Sequence, residues 1–400
     1  MKIAIVFLSS FPYSGLASAE HSLSYSKSLV KLGHEVCILA LQPSVNKKNP
    51  TKQIPQVKGV YEGVNYCYPS GTIYWPNGRL PFLKKFFIRI KNIIGVNKYL
   101  KNNRPDIVLH IINEGFDYFL WHFISRRNHY PFVIERTELS PIYKEQSYYK
   151  ATIKRRLFKK YVEKTFSYPD EWIVETRTLQ EYYQQYAKPQ ARFHILPMTV
   201  EVERFSHINR DEKQGNDYIA YCGNMREDDG VSILIKAFHL IDEKYPKLQL
   251  KLAGWSNDTP TQKELVKQLG IEDRVVFLGK ISREVIPDFL GNAKLLALAS
   301  PTSLRSCATM PCKVGEYLCT GIPIVVTGLG EINNYLTDGE NAYLAKPDSD
   351  VLFAQKIDEA LSDLEENRNR IANNGKQVAM TYFSANSQAA TLLDIFTKII

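Results

Sequence analysis

The chain has 400 residues, of which 44% are hydrophobic and 23% charged, as in soluble globular proteins, and this length predicts two to three domains. No apolar run approaches the ~18 residues that a membrane-spanning helix needs. The short apolar start MKIAIVFLSS has no small-residue cleavage site after it, so it predicts a first β-strand and not a secretion signal. We therefore expect a cytoplasmic protein.

The charge is unevenly distributed along the chain. Residues 1–200 carry 29 Lys and Arg against 14 Asp and Glu, whereas residues 201–400 carry 22 against 28. Two segments of the first half, 79–104 and 150–164, interleave cations with aromatic and aliphatic residues. Such segments suit an anionic membrane surface, and their charge would equally attract nucleic acid. A core-packed helix with a solvated face is the ordinary alternative, but the two segments together predict an anionic partner.

Short apolar runs, typical of buried parallel strands, alternate with helical patterns through the first half. The predicted strands are Ile3–Leu8, Glu35–Leu41, Ile107–Ile112, Phe132–Glu135, Trp172–Glu175 and Phe193–Leu196. Helical patterns lie at about 17–33, 84–103, 116–128, 150–167 and 177–187, and a hairpin is predicted at 57–68.

The same alternation of strands and helices begins again in the second half, after a polar stretch at 209–216 that predicts a linker. The predicted strands are Tyr218–Cys222, Gln249–Ala253, Val275–Leu278, Leu295–Ala299 and Ile322–Val326. Helical patterns lie at about 230–244, 260–269, 283–291, 311–319, 330–336 and 349–367.

Two such βαβ series predict an α/β protein with two doubly wound domains that face one another. The predicted domains are 1–208 and 217–382, and a C-terminal helix over 383–400 is expected to pack back towards the first domain. Because ligands of such sheets bind at the carboxyl ends of the strands, the cleft between the domains is the predicted active site.

The segment 308–327, ATMPCKVGEYLCTGIPIVVT, is the most informative about chemistry. Pro311 suits a first helical turn, and Gly321 suits the end of the helix. Lys313 and Glu316 lie three residues apart, so their side chains project from one helix face. A Lys near a helix N-terminus suits a phosphate, and a carboxylate one turn further suits the hydroxyls of a ribose. A surface ion pair is the ordinary alternative.

Six segments are informative through their order along the chain. They are GLASAEHSLSYSKSLVKLGHEVCIL (15–39), PDIVLHI (105–111), YIAYCGNMREDDGVSILIKAF (218–238), LQLKLAGW (248–255), VVFLGKISREVIPDFLGNA (275–293) and GEYLCTGIPIVVT (315–327). Taken in this order, they resemble landmarks of glycosyltransferase family 4. The resemblance covers nearly the whole chain. It implies a GT-B fold of two facing Rossmann-like domains and a retaining, hexosyltransferase-type transfer from a nucleotide diphosphate-sugar.

For the second domain, the resemblance implies a donor site in which Lys313 contacts the diphosphate and Glu316 the ribose. The amides of Thr309 and Met310 would meet the distal phosphate or the sugar. The remaining donor-binding candidates are Gly15, Gly223, Asn224, Arg226, Gly254, Lys280 and Ile281. Glycines at these strand ends allow a pyrophosphate to approach the backbone, and a simple turn is their ordinary alternative.

The chain departs from the family pattern in two places. In the family, a basic residue follows the glycine that corresponds to Gly223, and a Lys stands a few positions later. In this chain those positions hold Asn224 and Asp228 or Asp229, so Arg226 is the only cation in this loop. A guanidinium binds phosphate bidentately, which makes Arg226 a candidate substitute. The position of the family's upstream Glu is Ala308, which we interpret as a trait of a subfamily with a similar Pro-x-Lys segment.

Polar and ionisable residues at the ends of two strands of the first domain are candidates for acceptor recognition. They are His110, Asn113, Glu114, Glu135, Arg136 and Glu138. A structural histidine and a solvated strand exit are the ordinary alternatives.

The resemblance implies transfer of a sugar from a UDP- or GDP-linked donor to a glycan or lipid-linked acceptor, with Lys313 and Glu316 as the catalytic pair. We expect no cofactor and no metal, because Lys313 and helix amides can neutralise the diphosphate. The predicted setting is bacterial surface polysaccharide biosynthesis, with peripheral association at the inner face of the membrane and no nucleic acid. The alternatives are a sugar-nucleotide epimerase on the same fold and a degenerate GT-B binding protein, which the missing basic residues favour.

Overall fold

The computed structural model of the protein describes residues 1–12, 17–45, 55–75, 81–140, 153–208 and 217–400. These residues form two compact units. The first consists of Met1–Leu196 together with Gln388–Ile400, and the second of Pro197–Ser387. Each unit is built around one mainly parallel sheet, as expected for strands that read as short apolar runs buried on both faces.

The first unit contains a sheet with the strand order β3-β4-β2-β1-β5-β6-β7-β8. Its strands are β1 (Lys2–Phe7), β2 (Glu35–Ala40), β3 (Lys58–Tyr61), β4 (Val64–Cys67), β5 (Ile107–Ile111), β6 (Val133–Arg136), β7 (Glu171–Val174) and β8 (Arg192–Ile195). Its helices are α1 (Ala17–Lys31), α2 (Pro81–Asn103), α3 (Phe116–Asn128), α4 (Ile153–Thr165) and α5 (Arg177–Gln184). Only the predicted hairpin, β3 with β4, pairs antiparallel among these strands.

The central strands of this sheet end at the same level. Phe7, the last residue of β1, lies opposite Ala40 of β2 and Ile111 of β5. Polar residues that follow these strands therefore meet at one edge of the sheet, where doubly wound proteins bind ligands.

The last helix of the chain, Ala385–Ile399, completes the core of the first unit. Its side chains Leu392, Ile395 and Phe396 are buried in the same hydrophobic cluster as Ile5 and Phe7 of β1. The far end of the chain therefore covers apolar surface that the first 196 residues leave open.

The second unit contains a wholly parallel sheet with the strand order β11-β10-β9-β12-β13-β14. Its strands are β9 (Tyr218–Cys222), β10 (Gln249–Ala253), β11 (Val275–Gly279), β12 (Leu295–Leu298), β13 (Ile324–Thr327) and β14 (Tyr343–Ala345). Its helices are α6 (Val231–His239), α7 (Thr259–Gln268), α8 (Ile286–Gly291), α9 (Leu304–Ala308), α10 (Cys312–Thr320), α11 (Asp350–Ser362) and α12 (Glu365–Val378), so the last helix of the chain is α13.

The second unit begins earlier than the sequence predicts. Met198, Val200 and Phe205 are buried in its hydrophobic cluster, so the chain joins this unit from Pro197 onwards. Residues 202–205 form a 3-10 turn that places Arg204 beside helix α10. The predicted linker at 209–216 lies outside the described residues.

The single helix predicted at 349–367 is two helices, α11 and α12. Asp363 and Leu364 between them have extended ψ angles. The Asp363 carboxylate accepts hydrogen bonds from the Leu364 N–H at 2.8 Å and from the Tyr343 hydroxyl at 2.7 Å. This local bonding ends α11, because a short acidic side chain competes with the helix for backbone groups. None of the described helices is long and apolar enough to cross a membrane.

We predict that Gly230→Ala destabilises the protein far more than Gly339→Ala. Both glycines have positive φ, +77° and +71°, but a Cβ on Gly230 would lie 1.8 Å from the Ala299 carbonyl oxygen, whereas nothing lies within 4 Å of one on Gly339. Backbone strain alone costs about 1–2 kcal/mol, and the added clash should bring the loss at Gly230 above about 4 kcal/mol. Urea denaturation followed by far-UV circular dichroism measures both losses, and equal values would contradict the clash.

Candidate functional site

Glycines follow or end three neighbouring strands of the second unit. The Gly223 amide donates to the Ala253 carbonyl at 2.9 Å, and the Gly254 amide donates to the Gly279 carbonyl at 2.7 Å. Gly254 has φ +139°, and a Cβ there would lie 1.8 Å from the Gly223 oxygen. Gly254 must be glycine because its Cα packs against the backbone of the adjacent strand end, which leaves the edge of the sheet open to a ligand.

Lys313 lies directly over Gly223. A Cβ on Gly223 would lie 2.1 Å from Cε of Lys313, so any other residue would displace the lysine. The Lys313 ammonium donates to the Tyr221 hydroxyl at 2.8 Å and to the Asp229 carboxylate at 3.1 Å. The Tyr221 hydroxyl in turn donates to the carbonyl of Asn224. These contacts therefore join the end of β9 to the first turn of α10.

The charge of Lys313 is balanced within the site. Burial lowers the pKa of Lys313, and the neighbouring Asp229 carboxylate opposes that shift. Asp229 also accepts from Nε of Arg226 at 3.2 Å. The Asp229 carboxylate therefore binds both Lys313 and Arg226, the two cations that we predicted from the sequence to contact the diphosphate. A polyanionic ligand would have to compete with Asp229 for these two side chains.

Glu316 does not pair with Lys313, its neighbour on the helix face. It accepts from Nη1 of Arg204 at 3.0 Å, and Arg204 also donates to the carbonyl of Arg283 at 2.9 Å. Burial raises the pKa of Glu316, and Arg204 opposes the shift. The side chains of Glu316 and Arg204 are 26% and 20% exposed, so the surface ion pair considered from the sequence is replaced by two separate, largely buried pairs.

Backbone amides precede helix α10. Ser303 and Ser306 form a capping box that begins the short helix α9, and Thr309 after it is extended. Pro311 lies at the N-cap with ψ 122°, one residue before the predicted first turn. In the described part of the chain, the Thr309 and Met310 amides have no hydrogen-bond acceptor. Together with Lys313 they are donors that an anion at this helix N-terminus could use.

The predicted nucleobase position lies after β11. The Lys280 ammonium is 5.9 Å from the centre of the Trp255 ring, and Trp255 follows Gly254. Ile281 is next along the chain, and its side chain is half-buried. The Lys280 side chain therefore lies beside an aromatic ring that is 49% exposed, which is a suitable surface for stacking a base.

Glu135 and Arg136 at the end of β6 are engaged in internal contacts. The Glu135 carboxylate is buried and accepts from Nε2 of His21 at 2.8 Å and from the Tyr25 hydroxyl at 2.9 Å. Nε of Arg136 donates to the Tyr183 hydroxyl at 3.2 Å, and Nη2 of Arg136 lies 3.2 Å from Oε2 of Glu114. These hydrogen bonds and the Arg136–Glu114 ion pair hold the strand end in place.

The acceptor candidates other than His110 lie around a cleft of about 370 Å³ at the carboxyl ends of β1, β5 and β6. The candidates that line it are Asn113, Glu135, Arg136 and Glu138. Glu114 lies just behind this edge, where it also accepts from the Ser140 hydroxyl at 2.7 Å. The structure thus brings five of the six predicted residues together.

His110 is the exception. It is fully buried, its Nδ1–H donates to the Val133 carbonyl at 2.9 Å, and its ring stacks 5.9 Å from that of Tyr130. Burial lowers the pKa of His110 to about 4. The interpretation of His110 as an acceptor contact is therefore replaced by a packing role in the core. Gly15, the remaining donor candidate, lies outside the described residues.

Two sequence-family profiles match the chain. "Glycosyltransferase Family 4" matches residues 18–204, and "Glycosyl transferases group 1" matches residues 203–378. The chain therefore belongs to the glycosyltransferases of family 4, and the resemblance seen in the sequence is confirmed. An α-(1→4)-mannosyltransferase of Mycolicibacterium hassiacum is 28% identical over 234 residues, which cover 58% of this chain and 54% of that protein. The matched segments span between 38% and 54% of the first curated relatives.

Solved structures confirm the GT-B fold. The sucrose-phosphate synthase of Thermosynechococcus elongatus superposes with a TM-score of 0.71 at 15% identity, covering 99% of this chain and 98% of that one. HepE of Anabaena, solved with UDP and glucose, superposes with a TM-score of 0.69 at 16% identity and covers 100% of both chains. At these identities the likeness establishes the fold.

We predict that His110 makes the first unit acid-sensitive. Its pKa lies near 4 in the folded protein and at 6.5 ordinarily, so the unfolded chain takes up the proton first as the pH falls. The free energy of unfolding should therefore fall by about 3 kcal/mol between pH 6.5 and pH 4, in addition to other losses.

His110→Phe keeps the ring packing and should remove this component at the cost of one hydrogen bond at every pH. The measurement is urea denaturation at several pH values by tryptophan fluorescence, in a Trp255→Phe background where Trp75, Trp121 and Trp172 all belong to the first unit. Parallel pH profiles for the two proteins would show that His110 does not titrate in this way.

Proposed function

We propose that the protein transfers a sugar from a nucleotide diphosphate-sugar to a glycan or lipid-linked acceptor with retention of configuration, as a hexosyltransferase-type enzyme. The observation that supports this most directly is the position of Lys313 over Gly223, in the first turn of the helix that the amides of Thr309 and Met310 precede. A cation, a bare strand end and a helix N-terminus converge there, and together they suit a diphosphate.

In the proposed reaction the bond between the sugar's anomeric carbon and the diphosphate breaks. Lys313 and the two amides stabilise the negative charge that develops on the leaving diphosphate, which is the step where preorganised donors contribute most. Glu316 accepts hydrogen bonds from the ribose hydroxyls. The donor base stacks near Trp255, where the main chain of Lys280 and Ile281 follows the strand. We propose that no metal ion is needed, because these groups supply the positive charge.

The acceptor is proposed to bind the first unit, in the cleft lined by Asn113 and Glu138. The acceptor hydroxyl would attack the anomeric carbon, and its proton would pass to the leaving group or to solvent. We place the reaction in bacterial surface polysaccharide biosynthesis. We place it at the inner face of the cell membrane because the first half of the chain carries the excess of positive charge, which an anionic membrane surface attracts.

A second candidate function is a GT-B protein that binds a nucleotide-sugar without transferring the sugar. Asp229 favours it, since this carboxylate occupies both cations of the site. Turnover distinguishes the two: hydrolysis or transfer from any member of a panel of UDP-, GDP- and TDP-sugars supports the enzyme, whereas binding without turnover supports the second candidate.

We predict that Lys313→Ala weakens the binding of a nucleotide diphosphate by about 10- to 100-fold, the value of a charge-assisted contact of 1.5–3 kcal/mol. Isothermal titration with UDP, GDP and TDP measures this effect and identifies the base. The matched control is Lys294→Ala, which removes a partly exposed lysine of the same unit that pairs with Asp217 at 3.1 Å. Unchanged affinity in Lys313→Ala would refute the donor site.

We predict that Asp229→Asn tightens the binding of the same nucleotide by about tenfold. The substitution keeps the shape of the side chain and removes a negative charge that competes with the diphosphate for Lys313 and Arg226, a change of about 1–2 kcal/mol. Titration at two salt concentrations measures it. Weaker binding by Asp229→Asn would show that the carboxylate orients Lys313 and does not compete with the ligand.

A further inference from the structure

The exposed phenylalanines of the first unit are concentrated on three helices. Among the described residues, every phenylalanine that is more than a third exposed lies on α2, α3 or α4, and each is between 49% and 59% exposed. They are Phe86, Phe87, Phe116, Phe119, Phe123 and Phe158. Exposed aromatic rings gathered in this way indicate an interaction surface.

The three helices that carry these rings are neighbours in the first unit. The Arg89 guanidinium of α2 lies 4.9 Å from the centre of the Phe116 ring of α3 and 2.7 Å from the carboxylate of Asp117. A Cβ on Gly115, just before α3, would lie 3.8 Å from Cε1 of Tyr161 on α4. We call this surface the aromatic–basic face, formed by the exposed sides of α2, α3 and α4.

The charge of the aromatic–basic face is strongly positive. Helix α2 contains six Lys and Arg and no Asp or Glu, and α4 contains six Lys and Arg and one Glu. Lys91 of α2 and Arg156 and Lys160 of α4 are exposed on helices that also carry the exposed phenylalanines. An anionic bilayer satisfies both properties, since rings enter the headgroup boundary while cations remain with the headgroups. A second copy of the chain does not, because two such faces would repel one another.

The aromatic–basic face borders a second cleft of the first unit, of about 400 Å³, between α2 and α3. Lys85 and Arg89 line it, and both flank Phe86 on α2. Gln42 and Asn113 line this cleft and the acceptor cleft alike, so the two clefts are continuous. A molecule anchored in a bilayer at this face would therefore have a path from the lipid surface to the strand ends.

We propose that the aromatic–basic face docks on an anionic lipid bilayer, with the phenylalanine rings at the boundary between headgroups and acyl chains. Only the purpose of the docking, which is to present a membrane-anchored acceptor to the cleft, rests on the proposed function. The docking itself is a property of the face and can be measured without any substrate.

The test is flotation of the full chain with vesicles of phosphatidylcholine, with and without phosphatidylglycerol. We expect binding only to the anionic vesicles, and at least a tenfold loss of binding in Phe119→Ser/Phe123→Ser, which leaves every charge in place. Arg156→Glu/Lys160→Glu should lose binding as well. The matched control is Val351→Ser/Leu364→Ser, which removes two hydrophobic side chains that are 50% and 77% exposed on the second unit.

Equal binding by the wild type and Phe119→Ser/Phe123→Ser would overturn the proposal, as would equal binding to both vesicle types or no binding at all. Self-association of the wild type that disappears in the aromatic variant, measured by sedimentation velocity, would assign the face to a second copy and would also overturn it. Nucleotide titration on the same variants separates this outcome from the proposed function, because unchanged nucleotide affinity leaves the donor site standing.

Discussion

The close approach of Lys313 to Gly223 is the constraint on which the donor site depends. The aliphatic part of the lysine occupies the space that a side chain on Gly223 would need, and Gly254 must be glycine because its Cα faces the Gly223 carbonyl. The Tyr317 hydroxyl, which accepts from the Cys222 amide at 2.8 Å, joins the same helix to the same strand end. Helix α10 is therefore held against β9 at the point where a ligand would enter.

The electrostatics of the site follow from this packing. Because α10 packs against the sheet, Lys313 and Glu316 are largely buried, and this burial lowers the pKa of the first and raises that of the second. Each needs an opposite charge nearby, which Asp229 and Arg204 supply. Both charges of the site thus have partners within the protein, so recognition of a nucleotide diphosphate would be an exchange of partners.

The sequence predicted every strand except β14, because most parallel strands are runs of apolar residues that can be recognised without their partners, whereas Tyr343–Ala345 is only three residues long. Tyr218–Cys222 and Gln249–Ala253 have the predicted bounds. The split between α11 and α12 was missed because it depends on the Asp363 carboxylate meeting Tyr343, a contact that no local pattern shows.

The sequence predicted the part of the site that depends on residues within one turn of a helix. The spacing of Lys313 and Glu316 placed both on one face, but Arg204 is 112 residues from Glu316 and Tyr221 is 92 residues from Lys313. Pairings over such distances are set by tertiary packing. For the same reason the periodicity of β5 could not tell whether His110 faces the cleft or the core. A signal for Asp229 was present, an acidic residue beside the glycine that begins α6, although the sequence gives no sign that it would bind a lysine.

The course of helix α13 has a consequence for how the protein is made. Leu392 and Phe396 fill the core beneath β1, yet a ribosome adds them only after all of residues 197–387. The second unit, residues 197–387, is complete in the nascent chain before the first unit can bury its own sheet. Although its strands emerge first, the N-terminal unit can therefore finish folding only after the second unit has been synthesised, and its apolar surface stays open to chaperones until α13 emerges.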